Sequence, residues 1–341
     1  MNESAIPVSS PGLQIPATSI KRVLLVVKET YLDQVRARGD EHLLGEIAAR
    51  KPGLENVEES HRQHQNCIKL VTDALLIRGL EVDKIHRYSD VLKDRLTGVG
   101  LVVTIGGDGT LLRASHDLGS DIPVVGVNSA PITSFGHYCC TNGEGFAAVL
   151  DQILDGSFQP SRLLRLSLDI DGTPLSEPVL NEVLVAHKNP AGTSRYHMSV
   201  AGQLVQHKCS GLLIAPPAGS TGFSRSEGGI ILPITARQYT FIERAPFLKI
   251  GEAPEMKSGV VDGSDQIRIV SQMQDGKLFI DGDHIEYDFP RGATLTVTAG
   301  DNDLLAYINP DCHSPYLQAG QKPLSGWKAF LQSALRMVRS H

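Results

Sequence analysis

Leu101-Val102-Val103-Thr104-Ile105, followed directly by Gly106-Gly107-Asp108-Gly109-Thr110, is the stretch that decides the fold. The apolar run reads as a buried strand, and Leu111-Leu112-Arg113-Ala114 reads as the start of a helix. The glycines therefore fall at a strand-to-helix turn. Glycine lets backbone N–H groups approach a ligand closely, and the helix that follows offers its positive end to a phosphate. Asp108 places a carboxylate beside that phosphate site. An anion there is unfavourable unless it serves a purpose, such as accepting a proton or holding a metal. Asp108-Gly109 alone reads equally well as a tight turn without chemistry. The succession of strand, GGDGT and helix favours the phosphate site.

Working outward, Val23-Leu24-Leu25-Val26-Val27 is a short apolar run that predicts the first buried strand. A helix is expected near 41–50, with a break at Pro52-Gly53. Cys67, Leu70, Val71, Ala74 and Leu75 follow a helical stripe that Gly79 ends. Strands are expected near 81–86 and at Val124-Val125-Gly126-Val127, and a helix over 143–155. Strands alternating with helices predict a doubly wound parallel sheet. Ligands of such sheets bind beyond the carboxyl ends of the strands, where Asp108 falls.

From about residue 162 the texture changes. Strand-like runs at 163–170, 179–186, 195–201, 211–215, 266–271, 277–280, 293–298 and 303–308 are separated by Gly, Asp and Pro, which predicts a β-rich domain. One helix is expected near 220–228. Trp327, Phe330, Leu331, Ala334, Leu335 and Val338 share one helical stripe, so the C-terminal tail, 311–341, is expected to carry a docking helix. Residues 1–20, rich in Ser and Pro and without Lys or Arg, read as a disordered tail.

The chain has 341 residues, 41% apolar and 21% charged, ordinary for a soluble enzyme of about two domains. A net charge of -6 argues against a nucleic-acid surface. No apolar run reaches the roughly 20 residues that span a bilayer, and the N-terminus resembles neither a secretory signal nor a transit peptide. No membrane partner is expected, and the compartment is expected to be cytoplasmic. The five cysteines, Cys67, Cys139, Cys140, Cys209 and Cys312, form no C-x-x-C pair, so neither a zinc site nor a disulfide framework is expected. His61 and His64 precede a mostly polar stretch and read as a solvated helix face, with no third ligand to make a metal site.

Two further segments carry chemistry. Pro216-Pro217-Ala218-Gly219-Ser220-Thr221-Gly222-Phe223-Ser224 is a second small-residue loop after an apolar strand. Its hydroxyls and backbone N–H groups suit the polar edges of a nucleotide, and Phe223 could wall a base. Taken alone it reads equally as a Ser/Thr-rich helix cap. Asn181-Glu182, before Val183-Leu184-Val185-Ala186, pairs an amide with a carboxylate, which can bind paired ribose hydroxyls. There is no G-x-x-x-x-G-K-[ST] and no G-x-G-x-x-G after the first strand, so neither a Walker-type NTPase nor the usual dinucleotide dehydrogenase is indicated.

Together these motifs resemble the NAD kinase family. Gly106-Gly107-Asp108-Gly109-Thr110 is similar to its GGDGT and Asn181-Glu182 to its NE pair. Ser210-Gly211-Leu212-Leu213-Ile214, running into Ala218 to Ser224, is similar to its DGL…TGSTAYS segment, and Gly228-Gly229 to the pair that closes it. The resemblance spans residues 22–308 and implies a Rossmann-like domain over 21–158 followed by a β-sheet domain over 159–310. It implies ATP-dependent phosphorylation of the adenosine ribose 2′-hydroxyl of NAD or NADH, with ATP as co-substrate. Magnesium would be bound to the phosphates and not held in a dedicated protein cage. Asp108 would be the proton acceptor, and Gly106, Gly107 and Gly109 the phosphate loop. Dinucleotide contacts would come from Gly109, Thr110, Arg113, Asn181, Glu182, Arg195, Lys208, Ser210, Ser220, Thr221, Gly222, Phe223 and Ser224. A homodimer or homotetramer is implied.

Ser210 stands where the family usually has Asp, Phe223 where it has Tyr, and Asp281-Gly282-Asp283 where it has D-G-Q. The segments 125–131 and 136–140 also differ from the common G-N-L-G-F-L text. These departures resemble the divergent NADH-kinase branch, so NADH is expected to serve at least as well as NAD. A lipid or sphingoid kinase also carries GGDGT, but would need a membrane-facing patch, and the sequence has no basic amphipathic helix for one. A non-catalytic NAD(H) sensor is the other alternative, and it gains little from a carboxylate beside phosphates.

Overall fold

The computed structural model describes residues 20–86, 92–248 and 256–321. The expected tail over 1–20 (apart from Ile20) and the docking helix over 324–338 fall outside these residues. The chain divides into two units, one reaching Ser161 and adding Leu305–Ile308, the other formed by Arg162–Leu304 and the residues from Asn309 onward. Among the described residues no helix is long and apolar enough to cross a membrane.

The first unit is built on a parallel sheet. Its strands run in the order Glu81–His86, Arg22–Val27, Leu101–Gly106, Val124–Asn128, Leu304–Tyr307 and Ser161–Leu163. Both neighbours of Arg22–Val27 are parallel to it, and one of them precedes Leu101–Gly106 in the chain while the other is that strand itself. Strand order reverses here, the position at which doubly wound sheets bind ligands. Leu101–Gly106 is buried along its whole length, as expected for a strand covered on both faces. Helices Val57–Ile77 and Phe146–Leu154 cover one face, where Val71, Leu75, Phe146 and Leu150 meet Val23, Leu25, Val103 and Val125. The edge of Val124–Asn128 is shared: its first half pairs with Leu304–Tyr307 and its second with Cys139–Asn142. The strand expected at 303–308 therefore exists but joins this parallel sheet, not the β-rich set. His64, expected on a solvated face, is buried, with Nδ1 2.8 Å from Ser129 Oγ.

The second unit has two six-stranded antiparallel sheets. One runs Gln203–Cys209, Ser194–Val200, Gln266–Ser271, Thr294–Ala299, Leu166–Ile170 and Thr173–Pro174; the other runs Ser258–Asp262, Gln238–Glu243, Leu212–Ala215, Val183–His187, Gly276–Ile280 and Glu286–Asp288. Alternate residues of both face a shared core: Tyr196, Met198, Ile267 and Leu295 from the first, Val185, Ile214, Tyr239 and Leu278 from the second. The strands at 203–209, 238–243 and 258–262 were not expected; they carry too many polar residues for an apolar-run criterion to find.

The hairpin Ser194–Val200/Gln203–Cys209 closes through Ala201 and Gly202, both with positive φ, 49° and 77°. That is the two-residue turn whose twist matches a hairpin, and it favours Asn-Gly. Alanine in the left-handed region is strained by about 1–2 kcal/mol. Ala201→Asn should therefore raise the stability of the protein by about 0.5 kcal/mol or more, measured by urea denaturation. A loss of stability would show that the turn does not have this conformation.

Candidate active site

In the first unit, strand Leu101–Gly106 delivers the glycine loop to the carboxyl end of the sheet. Ser129 N–H donates to Gly106 O (3.0 Å) and Lys28 N–H to Ile105 O (2.9 Å), so three strand ends meet there. The helix begins at Asp108, three residues earlier than its apolar pattern implied, with Gly107 as its N-cap. Asp108 thus lies in the first turn, where the helix end favours a negative charge. One carboxylate oxygen, Oδ1, accepts from Tyr138 N–H at 2.8 Å; Oδ2 has no protein donor among the described residues. The first two glycines are tightly packed. A Cβ on Gly106 would stand 2.1 Å from Thr110 Oγ1, and one on Gly107 would stand 2.3 Å from Ser134 Oγ. Gly109 is exposed, Thr110 is buried, and Arg113 lies half-buried in the last turn of the helix.

In the second unit, Asn181 and Glu182 precede strand Val183–His187 and are held by Asp281. Asp281 Oδ1 accepts from Asn181 N–H (2.7 Å) and Glu182 N–H (3.0 Å), and Oδ2 accepts from Leu180 N–H (3.0 Å). Asn181 Nδ2 donates to Glu182 Oε2 at 2.7 Å. Burial pushes the Glu182 carboxyl up to about 8; the charge of Asp281 adds to the rise and the Asn181 amide opposes it. Burial also raises Asp281, to about 6, against its three N–H donors and the Arg165 guanidinium. Arg165 is fully buried, and Asp303 also faces it.

The small-residue loop lies directly on this pair. A Cβ on Gly219 would stand 1.5 Å from Asn181 O, and one on Gly222 would stand 3.2 Å from Asn181 Oδ1. The loop forms a short 3-10 turn, Pro217–Thr221, and then one helical turn, Phe223–Ser226. Ser220 braces it: the buried hydroxyl donates to Pro217 O (2.7 Å) and accepts from Leu232 N–H (3.0 Å). Its hydroxyl is thus engaged inside the fold on both its donor and one acceptor side. Thr221 and Ser224 are also buried, whereas Phe223 is exposed beneath the Arg244 guanidinium, 4.7 Å from the ring centroid.

Arg195 and Lys208 are cross-strand partners in the hairpin, and Lys208 Nζ lies 3.8 Å from the Phe247 ring centroid. Ser210 is exposed and its N–H donates to Arg244 O at 2.8 Å. The segment around Arg244 and Phe247 thereby connects Lys208 and Ser210 to Phe223. Sequence reading did not select Asp281, Arg165, Arg244 or Phe247 for the site. Asp281-Gly282 did carry a signal, since an Asp-Gly pair marks a left-handed corner, and Asp281 has φ 50°. Among the described residues no three His, Cys, Asp or Glu side chains converge as a metal-ligand set.

The model of the ATP-NAD kinase N-terminal domain matches residues 22–158, and that of the C-terminal domain matches 159–308. A probable NADH kinase of Oryza sativa subsp. japonica is 33% identical over 279 residues, covering 76% of this chain and 85% of that protein. The NADH kinase of Arabidopsis thaliana is 32% identical, covering 72% and 84%. The fold is shared with yeast NADH kinase complexed with NADH (TM-score 0.67, 14% identity, 90% of each chain). It is also shared with an NAD kinase from Archaeoglobus fulgidus in complex with ATP (TM-score 0.63, 22% identity, 87% of this chain and 97% of that one). Both halves of the family's architecture are thus matched in order over residues 22–308, and the chain belongs to the NAD kinase family.

Proposed function

We propose that the protein transfers the terminal phosphoryl group of ATP to the adenosine ribose 2′-hydroxyl of NADH and NAD, forming NADPH and NADP. The observation that carries this reading is Asp108, a carboxylate at the end of a glycine loop with one oxygen open, in a chain of this family. The ribose oxygen attacks the γ-phosphorus, the bond to the ADP oxygen breaks, and the hydroxyl proton passes to Asp108. Backbone N–H groups of Gly106 to Gly109 hold the phosphates in line. Magnesium, arriving on the phosphates beside Asp108, would neutralise their charge. Asn181 and Glu182 hold dinucleotide hydroxyls, with Glu182 accepting and Asn181 able to donate and accept. Arg113, Arg195 and Lys208 supply positive charge to the anionic substrates, and Thr110, Thr221, Gly222, Phe223 and Ser224 shape the dinucleotide's surroundings. We further place the enzyme in the cytoplasm as a homodimer or homotetramer, the assembly favoured in the family; light scattering on the purified protein tests that assembly. A kinase assay with NAD and NADH, each against ATP and polyphosphate, tests the activity.

Asp108→Asn should keep the fold and lower kcat by at least about a hundredfold, because an amide is a very weak base. Near wild-type kcat in this variant would remove Asp108 from the proton transfer.

Alanine at Asn181 or Glu182 should weaken dinucleotide binding by about 1–3 kcal/mol, the scale of a buried polar group left without its hydrogen-bond partner. The KM for ATP should change much less. Calorimetry that finds unaltered NADH affinity in both variants would leave the pair with a structural role only.

NADH should be used at least as well as NAD. Oxidised nicotinamide is positively charged, and Ser210 lacks the carboxylate that could attract it. A charge a few ångströms away is worth about 1 kcal/mol or more. The ratio of kcat/KM for the two substrates is to be compared in wild type and Ser210→Asp. A wild-type preference for NAD beyond about tenfold, or 1.4 kcal/mol, contradicts the expectation. An unchanged ratio in Ser210→Asp contradicts the charge argument alone.

A further inference from the structure

The Asp281 carboxylate is 4% exposed and accepts the N–H groups of three consecutive residues, Leu180, Asn181 and Glu182. Its own N–H donates to Glu182 O at 2.9 Å, so the two segments are tied in both directions. The corner that aims the carboxylate is unusual: Asp281 has φ 50° and Gly282 has φ 121°, the left-handed region that side chains rarely adopt. Three N–H groups on one carboxylate fix the direction of the backbone on either side of Asn181. The Asn181 carbonyl then lies where only glycine fits at 219, and the Asn181 amide reaches Glu182 Oε2.

We infer that Asp281 is a positioning residue for dinucleotide binding: through the backbone of Leu180–Glu182 it sets the orientation of the Asn181 amide and the Glu182 carboxyl. This rests on the reading of Asn181 and Glu182 as the dinucleotide's hydroxyl partners.

Asp281 also acts on Glu182 through charge. Arg165, in the segment before strand Leu166–Ile170, faces Asp281; Asp303 faces Arg165 and is itself ion-paired to Arg237 at 2.7 Å. The loop 216–224 packed on Asn181 contains no titratable side chain. Asp281 is the charged group beside Glu182, and its negative charge raises the Glu182 carboxyl. Removing that charge lets Glu182 lose its proton at a lower pH. The direction is the same whether the charged or the neutral form of Glu182 binds the hydroxyls.

The test varies NADH at saturating ATP across the pH range for wild type, Asp281→Asn and Glu182→Gln. Asparagine tolerates φ 50°, so the corner is retained. Asp281→Asn should raise KM for NADH by about tenfold or more, with the KM for ATP little changed. The ionisation in kcat/KM for NADH that Glu182→Gln abolishes should move down by about one pH unit in Asp281→Asn. An unmoved ionisation, or an unchanged KM for NADH, overturns the role of Asp281. Should Asp281→Asn not fold, amide NMR of the wild type decides. The N–H signals of Leu180, Asn181 and Glu182 should shift together with one midpoint as Asp281 titrates, and independent or absent shifts overturn the clamp. Failure of wild type to phosphorylate either dinucleotide is a separate result, against the proposed activity, and leaves the amide titration to judge the clamp.

Discussion

A buried carboxylate must be fully satisfied or it will not stay charged, and that constraint at Asp281 organises the second unit's site. Moving such a group out of water costs several kcal/mol unless hydrogen bonds and opposite charge replace the lost solvation. Here the replacement is three backbone N–H groups and the buried Arg165 guanidinium. The consequences run outward through contacts. Fixing residues 180–182 fixes the Asn181 carbonyl, which leaves space for glycine alone at 219. The turn at Pro217–Thr221 then closes with the Ser220 hydroxyl bridging Pro217 and Leu232. Phe223 emerges from that turn under Arg244, whose backbone carbonyl receives the Ser210 N–H. Residues far apart in the chain are thereby ordered around one internal charge.

The first unit solves a different problem with a different device. A glycine loop that exposes backbone N–H groups at a strand end depends on close backbone approach, which is a steric matter. A side chain at 106 would collide with Thr110, down to its Cβ at 2.8 Å, and one at 107 would have to push the Ser134 hydroxyl aside. The loop 128–138 is shaped to the same end. Asn128 holds it from within, donating through Nδ2 to Ser134 O (3.0 Å) and accepting from Ala130 N–H (3.3 Å), and Gly136 turns it with φ 74°. Ser134 is thereby set against Gly107, and the Tyr138 N–H against Asp108. One carboxylate oxygen is occupied by this bond, which fixes the side chain's rotation and leaves the other oxygen without a protein donor among the described residues.

The parallel sheet, the glycine loop and the β-rich second half were legible because each rests on a local pattern: apolar runs of strand length, glycines at a strand end, and short runs between turn residues. What was not legible is non-local or carried by backbone. The bond from Tyr138 to Asp108 uses an N–H, and every residue but proline has one. The apolar run at 303–308 marks a strand and, by its place in the chain, the β-rich set; its pairing with Val124–Asn128 is a tertiary choice no local pattern carries. Gln203–Cys209 escapes an apolar-run criterion because polar residues lie on both of its faces, with His207 turned inward and Gln206 and Lys208 outward. Ser220 looked like a ligand group because a hydroxyl in a small-residue loop suits both a nucleotide and a cap; the structure shows it bound inside the fold. His64 looked solvated because the stretch that follows it is polar, although its own face is turned to Ser129.

Register links the hidden strand to the site. Side chains alternate along Gln203–Cys209, so His207 and Cys209 point inward while Lys208 points outward. Inside, His207 Nδ1 lies 2.6 Å from Glu243 Oε1, and the Tyr196 hydroxyl donates to the same oxygen at 3.2 Å and lies 3.5 Å from Cys209 Sγ. The Tyr196 and His207 rings stack at 5.1 Å. A slip of one residue would exchange the two faces, sending Lys208 into the core and His207 to the surface and breaking the bond to Glu243. The polar cluster is therefore a lock on register. It fixes which side of the strand Lys208 occupies, and through Glu243 it holds the strand end from which Arg244 reaches Phe223 and Ser210.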